Sequence, residues 1–315
     1  MFQPKPTISI EVKITNRCNQ ACVHCANSDG LGPGQDIDWQ LFNLRVEDWA
    51  LQREGSVYDL KEIRLTGGEP LVDFEAVAGL ARCCQRLGIR SGINTNGLLL
   101  DSGRIRLLKE SGVGVLKISF DSIRLATYGR MRGRLPSLQP FFSIIQDLVE
   151  NRFKVILRLT LTRDNRDQLI SCCHKAVELG VAQLQIKPLI RSGRAVGLDS
   201  FLSRDEVNEA LLHLAEASAG ISLPVEILCW PPVAGSPLSF KVCGSANKIY
   251  VSTDLTCSIC NFIGEDRRTP LGDLSTSPLE DIFRRRTAGP WIKQINGHRL
   301  VQGCPNEAVF ERDSA

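Results

Sequence analysis

Three cysteines within eight residues, Cys18, Cys22 and Cys25, follow an apolar run that ends at Ile14. Thiolates at this spacing converge on one soft centre, and iron–sulfur clusters are held by cysteine thiolates. No further cysteine occurs before Cys83, so three ligands would leave one iron of a cubane uncapped and open to a small molecule. The same residues allow a second reading, a structural zinc knuckle completed by a distant ligand or by His24. Gly67-Gly68-Glu69-Pro70 stands next along the chain, a turn sequence with a carboxylate. A second cysteine group lies far downstream: Cys243, Cys257, Cys260 and Cys304. Its four thiolates would close either a second cluster or a zinc site.

Elements that could position these residues come in a regular order. Thr7–Ile14 reads as a strand. Further strands are predicted at Glu62–Thr66, Ser91–Asn94, Val115–Phe120, Lys154–Leu161 and Gln183–Lys187. Helices are predicted over Trp39–Arg53, from an Asp73 cap to Leu87, and over Gly103–Ser111, Leu138–Asn151 and Arg166–Leu179. Six strand–helix alternations in about 190 residues imply a parallel sheet. Six rather than eight imply an incomplete (β/α)6 TIM-like barrel, open on one side. The chemistry-bearing clusters each follow or end a strand, where such barrels place active sites. They are the cysteines, Gly67-Gly68-Glu69, Asn94-Thr-Asn96-Gly97, Ser119-Phe-Asp121, Arg158 with Thr160, and Arg191-Ser-Gly-Arg194.

Downstream, Ser203–Ala219 is an amphipathic helix with Asp205 and Glu206 in its first turn, and Pro231–Pro237 is a linker. Lys248–Thr253 and Thr256–Ile259 flank Asp254 as a hairpin. The expected division is residues 1–195 for the barrel, 196–240 for helix and linker, and 241–315 for a small cysteine-bearing domain.

The chain has 315 residues, 43% hydrophobic and 23% charged, with a net charge of +3. This charge is too small to argue for nucleic acid or an anionic membrane. Met1–Thr7 lacks the apolar core of a signal peptide, and no apolar run is long enough to span a bilayer. The expected location is cytoplasmic, where twelve cysteines favour metal or catalytic roles over disulfides. The tandem pairs Cys83–Cys84 and Cys172–Cys173 sit inside helical patterns and read as small buried residues, and Cys229 as buried rather than a ligand.

The first loop matches the CX3CX2C signature of the radical S-adenosylmethionine (SAM) enzymes, with Thr66-Gly67-Gly68-Glu69-Pro70 in the second expected position. The resemblance covers Ser9 to about Arg194. It implies that Cys18, Cys22 and Cys25 hold a [4Fe-4S] cluster whose open iron is chelated by SAM. An electron then breaks a carbon–sulfur bond of SAM, and the resulting 5′-deoxyadenosyl radical abstracts hydrogen from substrate. It further implies SAM contacts at His24, Gly67, Gly68, Glu69, Asn96, Ser119, Asp121, Arg158 and Leu189. The two glycines would let backbone approach the methionine moiety, and Ser119 and Asp121 would meet the ribose. Arg132-Gly133 resembles an Arg-Gly pair of the SPASM/twitch subgroup, in which the arginine approaches SAM. Two positions depart from that pattern: His24 stands where an aromatic residue is common, and Tyr128 lies near the place of a histidine.

Cys243-Gly-Ser-Ala…Asp254-Leu-Thr-Cys257 is similar to the opening of a SPASM or twitch domain. Pro270-Leu-Gly-Asp-Leu and Ser277-Pro-Leu-Glu-Asp-Ile-Phe are similar to its turn and helix. Four cysteines rather than seven imply one auxiliary [4Fe-4S] cluster, the twitch arrangement, with Cys243, Cys257, Cys260 and Cys304 as ligands. The resemblance implies an oxidoreductase supplied by an external donor of flavodoxin or ferredoxin type. The expected substrate is a hydroxylated small molecule such as a sugar, aminocyclitol or nucleoside in natural-product biosynthesis. The alternatives are a ribosomal-peptide maturase and redox-neutral chemistry such as epimerisation, decarboxylation or dehydration. Neither nucleic acid nor membrane is an expected partner.

Overall fold

In β1 (Thr7–Lys13) the side chains of Ile8, Ile10 and Val12 alternate with Ser9, Glu11 and Lys13. Successive strand residues face opposite sides, so one face of β1 is aliphatic and the other is charged. In a computed structural model, which describes residues 4–26, 34–218, 220–241, 247–260 and 270–289, this division runs through the whole sheet. The aliphatic face packs under helices, with Ile8, Ile10 and Val12 each no more than 2% exposed.

The strands continue as β2 (Asp59–Thr66), β3 (Arg90–Thr95), β4 (Val113–Ser119), β5 (Lys154–Leu161) and β6 (Gln183–Pro188). Between them lie α1 (Trp39–Leu51), α2 (Phe74–Leu87), α3 (Ser102–Glu110), α4 (Leu125–Arg132), α5 (Gln139–Glu150) and α6 (Leu169–Glu178). All neighbouring pairs from β1 to β6 are parallel. The Asp73 side chain caps α2 by accepting from the Ala76 amide at 3.1 Å, as its sequence predicts. The two tandem cysteine pairs are buried, and burial pushes the Cys83 and Cys173 thiols up to about 11.

The sheet does not stop after six strands. After α7 (Arg204–Ala217), β7 (Val225–Leu228) pairs parallel to β6, and β8 (Ser239–Lys241) pairs parallel to β7. The stretch expected to be helix and linker therefore carries two more strands. At four and three residues they are too short for alternation to reveal. At the opposite edge β9 (Lys248–Val251) lies parallel to β1, followed by antiparallel β10 (Thr256–Ser258) and β11 (Pro270–Asp273). The expected hairpin about Asp254 is β9–β10, and it joins the barrel sheet, giving the order β11-β10-β9-β1-β2-β3-β4-β5-β6-β7-β8.

The sheet curls into a barrel-like wall. Glu11 on β1 lies in electrostatic reach of Arg158 on β5, and Lys117 on β4 in reach of Lys248 on β9. Such pairs meet only if the charged face is concave. The last helix among the described residues, α8 (Leu279–Ala288), docks on α1 and the segment after it, where Phe283 meets Trp49 and Tyr58 edge-on at centroid distances of 6.1 and 5.7 Å. Each such contact adds about 0.5–1.5 kcal/mol beyond the area it buries.

Candidate active site at the cysteine loop

The chain leaves β1 through Ile14, whose amide donates to the Thr66 carbonyl at 2.8 Å, and enters the loop bearing Cys18, Cys22 and Cys25. The loop is held from several sides by segments that follow the strands. The Val23 amide donates to the Met131 carbonyl of α4 at 3.0 Å, and the Arg194 amide to the Cys25 carbonyl at 3.0 Å. Gln20 Nε2 donates to Tyr128 Oη at 3.1 Å, and Asn96 Nδ2 to Asn19 Oδ1 at 2.7 Å. Gly193 packs so tightly that a Cβ there would lie 2.5 Å from the Ala26 carbonyl oxygen.

The Gly67-Gly68-Glu69 turn is the main strap. The amides of Gly68 and Glu69 donate to the carbonyls of Thr15 and Arg17, both at 2.8 Å. A Cβ on Gly67 would stand 2.6 Å from the Thr15 oxygen, and one on Gly68 would stand 2.2 Å from the Arg17 oxygen. Both Cβ positions are therefore filled by the chain's own backbone. The glycines' smallness thus seats the cysteine loop against the turn. Glu69, 1% exposed, accepts from the Leu71 amide at 3.1 Å, Thr95 Oγ1 at 2.6 Å and the Asn96 amide at 2.7 Å. Burial pushes its carboxyl up while those three hydrogen bonds oppose the shift.

Asp121 is the most enclosed of the expected site residues. It is fully buried and accepts from the Thr160 amide at 2.7 Å, from His24 Nε2 at 3.2 Å, and from Arg132 Nε. Burial alone would raise its carboxyl, but Arg132 and His24 outweigh it and hold the group well below the usual carboxylate range. With its oxygens so engaged, Asp121 positions His24 and Arg132. Arg132, at the end of α4, also directs Nη1 to Cys22 Sγ at 3.7 Å. Burial pushes the Cys22 thiol up, whereas Arg132 and, more weakly, Arg194 favour its thiolate.

The remaining expected contacts fall into two groups. Ser119 ends β4 half-buried at the rim, and Leu189 lies just past β6 with its amide on the Leu161 carbonyl at 3.0 Å. Arg158 instead points into the barrel, where Glu11, Arg64, Cys229 and Glu226 surround it. Cys229 is half-buried at a positive φ of 58°, and not fully buried as expected. Of the second cysteine group, Cys257 is buried on β10 and Cys260 follows it half-buried. Cys243 and Cys304 lie outside the described residues. Sequence reasoning placed Arg194 in a cluster after the sixth strand and Tyr128 near the place of a histidine, but gave neither a partner, and nothing in the sequence pairs Gln20 with Tyr128.

Among the described residues, no three His, Cys, Asp or Glu side chains converge on a point for a single metal ion. Three thiols beside Arg132 and Arg194 suit a larger anionic cluster. Three buried polar atoms there have no protein partner, Asn16 Oδ1, His24 Nδ1 and Arg194 Nε, which suits a polar ligand alongside.

Comparison with known proteins agrees with this fit. Residues 12–176 match the family model of the radical SAM superfamily. The GTP 3′,8-cyclase of Pelotomaculum thermopropionicum is 28% identical over 278 residues, covering 84% of this chain and 79% of that protein. SuiB of Streptococcus suis, solved with S-adenosylmethionine, superposes with a TM-score of 0.72 at 12% identity, over 92% of this chain and 68% of that one. The AdoMet-bound enzyme anSMEcpe superposes at 0.68 with 15% identity, over 94% and 88%. The family match spans over half of the chain and includes both the cysteine loop and its glycine strap, so the chain belongs to the radical SAM superfamily, whose cofactors are a [4Fe-4S] cluster and SAM.

Proposed function

We propose that Cys18, Cys22 and Cys25 hold the [4Fe-4S] cluster and that SAM lies against the rim formed by His24, Glu69, Asn96, Ser119 and Leu189. When bound, these cofactors supply a 5′-deoxyadenosyl radical that takes a hydrogen atom from substrate. Arg132 holds positive charge beside Cys22 Sγ, and Asp121 fixes Arg132 in place. The substrate enters the concave charged face, and the reaction removes two hydrogens from a hydroxylated carbon of a small molecule.

The observation that carries the oxidative reading is the seat of the second cysteine group. Its hairpin pairs with β1, the strand that feeds the first loop, and Asn16 Nδ2 donates to Thr253 Oγ1 across the two at 3.4 Å. Cys243, Cys257, Cys260 and Cys304 together would form a closed four-thiolate set for one auxiliary [4Fe-4S] cluster. A closed set suits electron storage near the radical site better than substrate coordination. A peptide substrate is the competing reading, and SuiB has been solved with its precursor peptide SuiA. At 12% identity that likeness extends to the fold alone.

Anaerobically reconstituted, reduced protein is expected to release 5′-deoxyadenosine and methionine from SAM. Incubated with sugars, aminocyclitols and nucleosides, it should give a product two hydrogens lighter. An unchanged mass, or loss of water or carbon dioxide, overturns the oxidation. Modification of a peptide and of none of these small molecules overturns the substrate class.

A further inference from the structure

Lys117 is the one lysine of β4, and its neighbours Leu116 and Ile118 turn the other way into the aliphatic core. Register sets Lys117 on the concave face, beside Asn94 of β3 and Ile156 of β5. Ser119 stands two residues further along the same strand, at the rim. At about 3.3 Å per strand residue the two Cα atoms are about 7 Å apart, a span that a four-carbon lysine stem covers. The amine is thus within reach of a molecule seated under the rim. It makes no hydrogen bond and no ion pair among the described residues. Beside it Asn94 Oδ1 is buried and has no partner either, a state that folded proteins rarely leave unanswered.

The surrounding charges decide the protonation of this amine. Glu62 and Arg64 face it from β2, Arg158 from β5 and Lys248 from β9. On the strands that flank β4, the other inward charges are Arg90 and Lys154, at exposed strand starts. The inward carboxylates already have donors of their own. Glu62 accepts from Arg64, Glu11 from Lys248 Nζ at 2.8 Å, and Glu226 from Gln185 Nε2 at 2.7 Å. Asp59 pairs with Lys61, and Asp273 accepts from the Ser275 amide at 2.7 Å. Burial, reinforced by Arg64, Arg158 and Lys248 and only partly offset by Glu62, holds the Lys117 amine down at about 6. Near neutral pH it therefore carries a lone pair, with a proton affinity matched to the working pH.

We infer that Lys117 is the general base of the oxidation, taking the proton of the substrate hydroxyl whose carbon gives up a hydrogen atom under the rim. This role rests on the oxidative reading above and supplies the proton acceptor which that reading requires. The carbon's hydrogen atom goes to the 5′-deoxyadenosyl radical, the hydroxyl proton to Lys117 Nζ, and one electron to the auxiliary [4Fe-4S] cluster. One C–H and one O–H bond of the substrate break. The new bonds are a C–H in 5′-deoxyadenosine, an N–H on Lys117 and the second bond of the carbonyl, and the product is two hydrogens lighter. A second hydroxyl of the substrate donates to Asn94 Oδ1, which holds the reacting one toward the amine. Once protonated, Lys117 sits among three cations, and their repulsion favours return of the proton to solvent. Solvent reaches this lining, where the Lys248 side chain is 27% exposed.

The test makes two measurements on the reconstituted, SAM-loaded full-length protein. Trace labelling with acetic anhydride over a pH series, read peptide by peptide in a mass spectrometer, gives the midpoint at which each amine becomes reactive. Lys117 should turn reactive near pH 6, against about 10.4 for an exposed lysine. In parallel, methyl glucoside, streptamine and adenosine are each incubated with the enzyme, and product two hydrogens lighter is counted per 5′-deoxyadenosine released. In the wild type this yield should fall about tenfold per pH unit below the Lys117 midpoint. Lys117→Met and Lys117→Arg should each lower it about a hundred- to ten-thousandfold, the range of general-base catalysis. Arginine keeps a cation in place but has no lone pair to offer, so a yield restored in Lys117→Arg overturns the base role. A Lys117 midpoint near that of the exposed lysines, or an acid limb that survives in Lys117→Met, overturns it as well. Wild-type protein that releases 5′-deoxyadenosine but oxidises none of the three molecules overturns the oxidative reading, and the base role with it. Oxidation that continues in both variants overturns the base role alone.

Discussion

The rim and the interior of the barrel are held by different means. At the rim, Cys18–Cys25 and Gly67–Pro70 are contiguous stretches whose positions are set by backbone hydrogen bonds and close backbone contact. In the interior, Arg64, Lys117, Arg158 and Lys248 come one to a strand, and charge at close range governs how they meet. A backbone-held site tolerates many changes of neighbouring side chain but almost no change of shape. A charge-held site has the opposite tolerance, since each group sets the protonation of the next. The rim therefore suits chemistry shared by a large family, and the interior suits what differs between its members.

Four experiments sharpen or break this contrast. The largest effect is expected at the rim. Cys25→Ser should reduce SAM cleavage to background and lower the iron content from about eight to about four per chain. Retention of all the iron would mean that the loop does not hold a cluster. Next, Arg132→Ala removes the main partner of the buried Asp121 carboxylate and should destabilise the chain by about 3–5 kcal/mol in denaturant titration. A cost below about 1 kcal/mol would show that the Asp121 network is not a closed one.

The third effect belongs to the interior and depends on pH. With the folded-state Lys117 near 6 and an unfolded lysine near 10.4, the folded chain binds fewer protons between these values. Stability should therefore rise with pH across that window, by at most about 1.4 kcal/mol per unit for one proton. Lys117→Met should flatten the slope and stabilise the protein more at pH 6.5 than at pH 9. An unchanged slope would mean that other groups carry the linkage. The smallest effect is at the join between the two cysteine regions. Asn16→Ala loses the 3.4 Å contact with Thr253 and should cost about 0.5–1 kcal/mol while leaving iron content intact.

The same contrast explains what the sequence disclosed. The cysteine loop, the Gly-Gly-Glu turn and the Asp73 cap are legible because each is a local pattern with one geometric use. The six strand–helix units are legible because their periods persist over whole elements. Helix α4 was missed: its apolar residues show little sidedness, Gly129 interrupts it, and no side chain caps its start. That omission hid the element carrying Arg132 and Tyr128. The surroundings of Asp121 and Arg158 were hidden for a related reason. Proximity to a strand end does not say whether a side chain turns toward the rim, the barrel interior or its own neighbours. Only pairing register, which joins residues far apart in the chain, decides that.

The pairing of β9 with β1 also bears on how the protein is made. Ser9 finds its partner Lys248 only after nearly 240 further residues have been synthesised. At about 5–20 residues per second, one side of β1 stays unmatched for roughly 10–50 s after the strand emerges. During that interval the strand leading to the cysteine loop is an open edge, prone to pairing with a foreign strand. A chain shortened before Lys248 would keep that edge for its whole life and should aggregate, even though every residue of its cysteine loop and glycine turn is present.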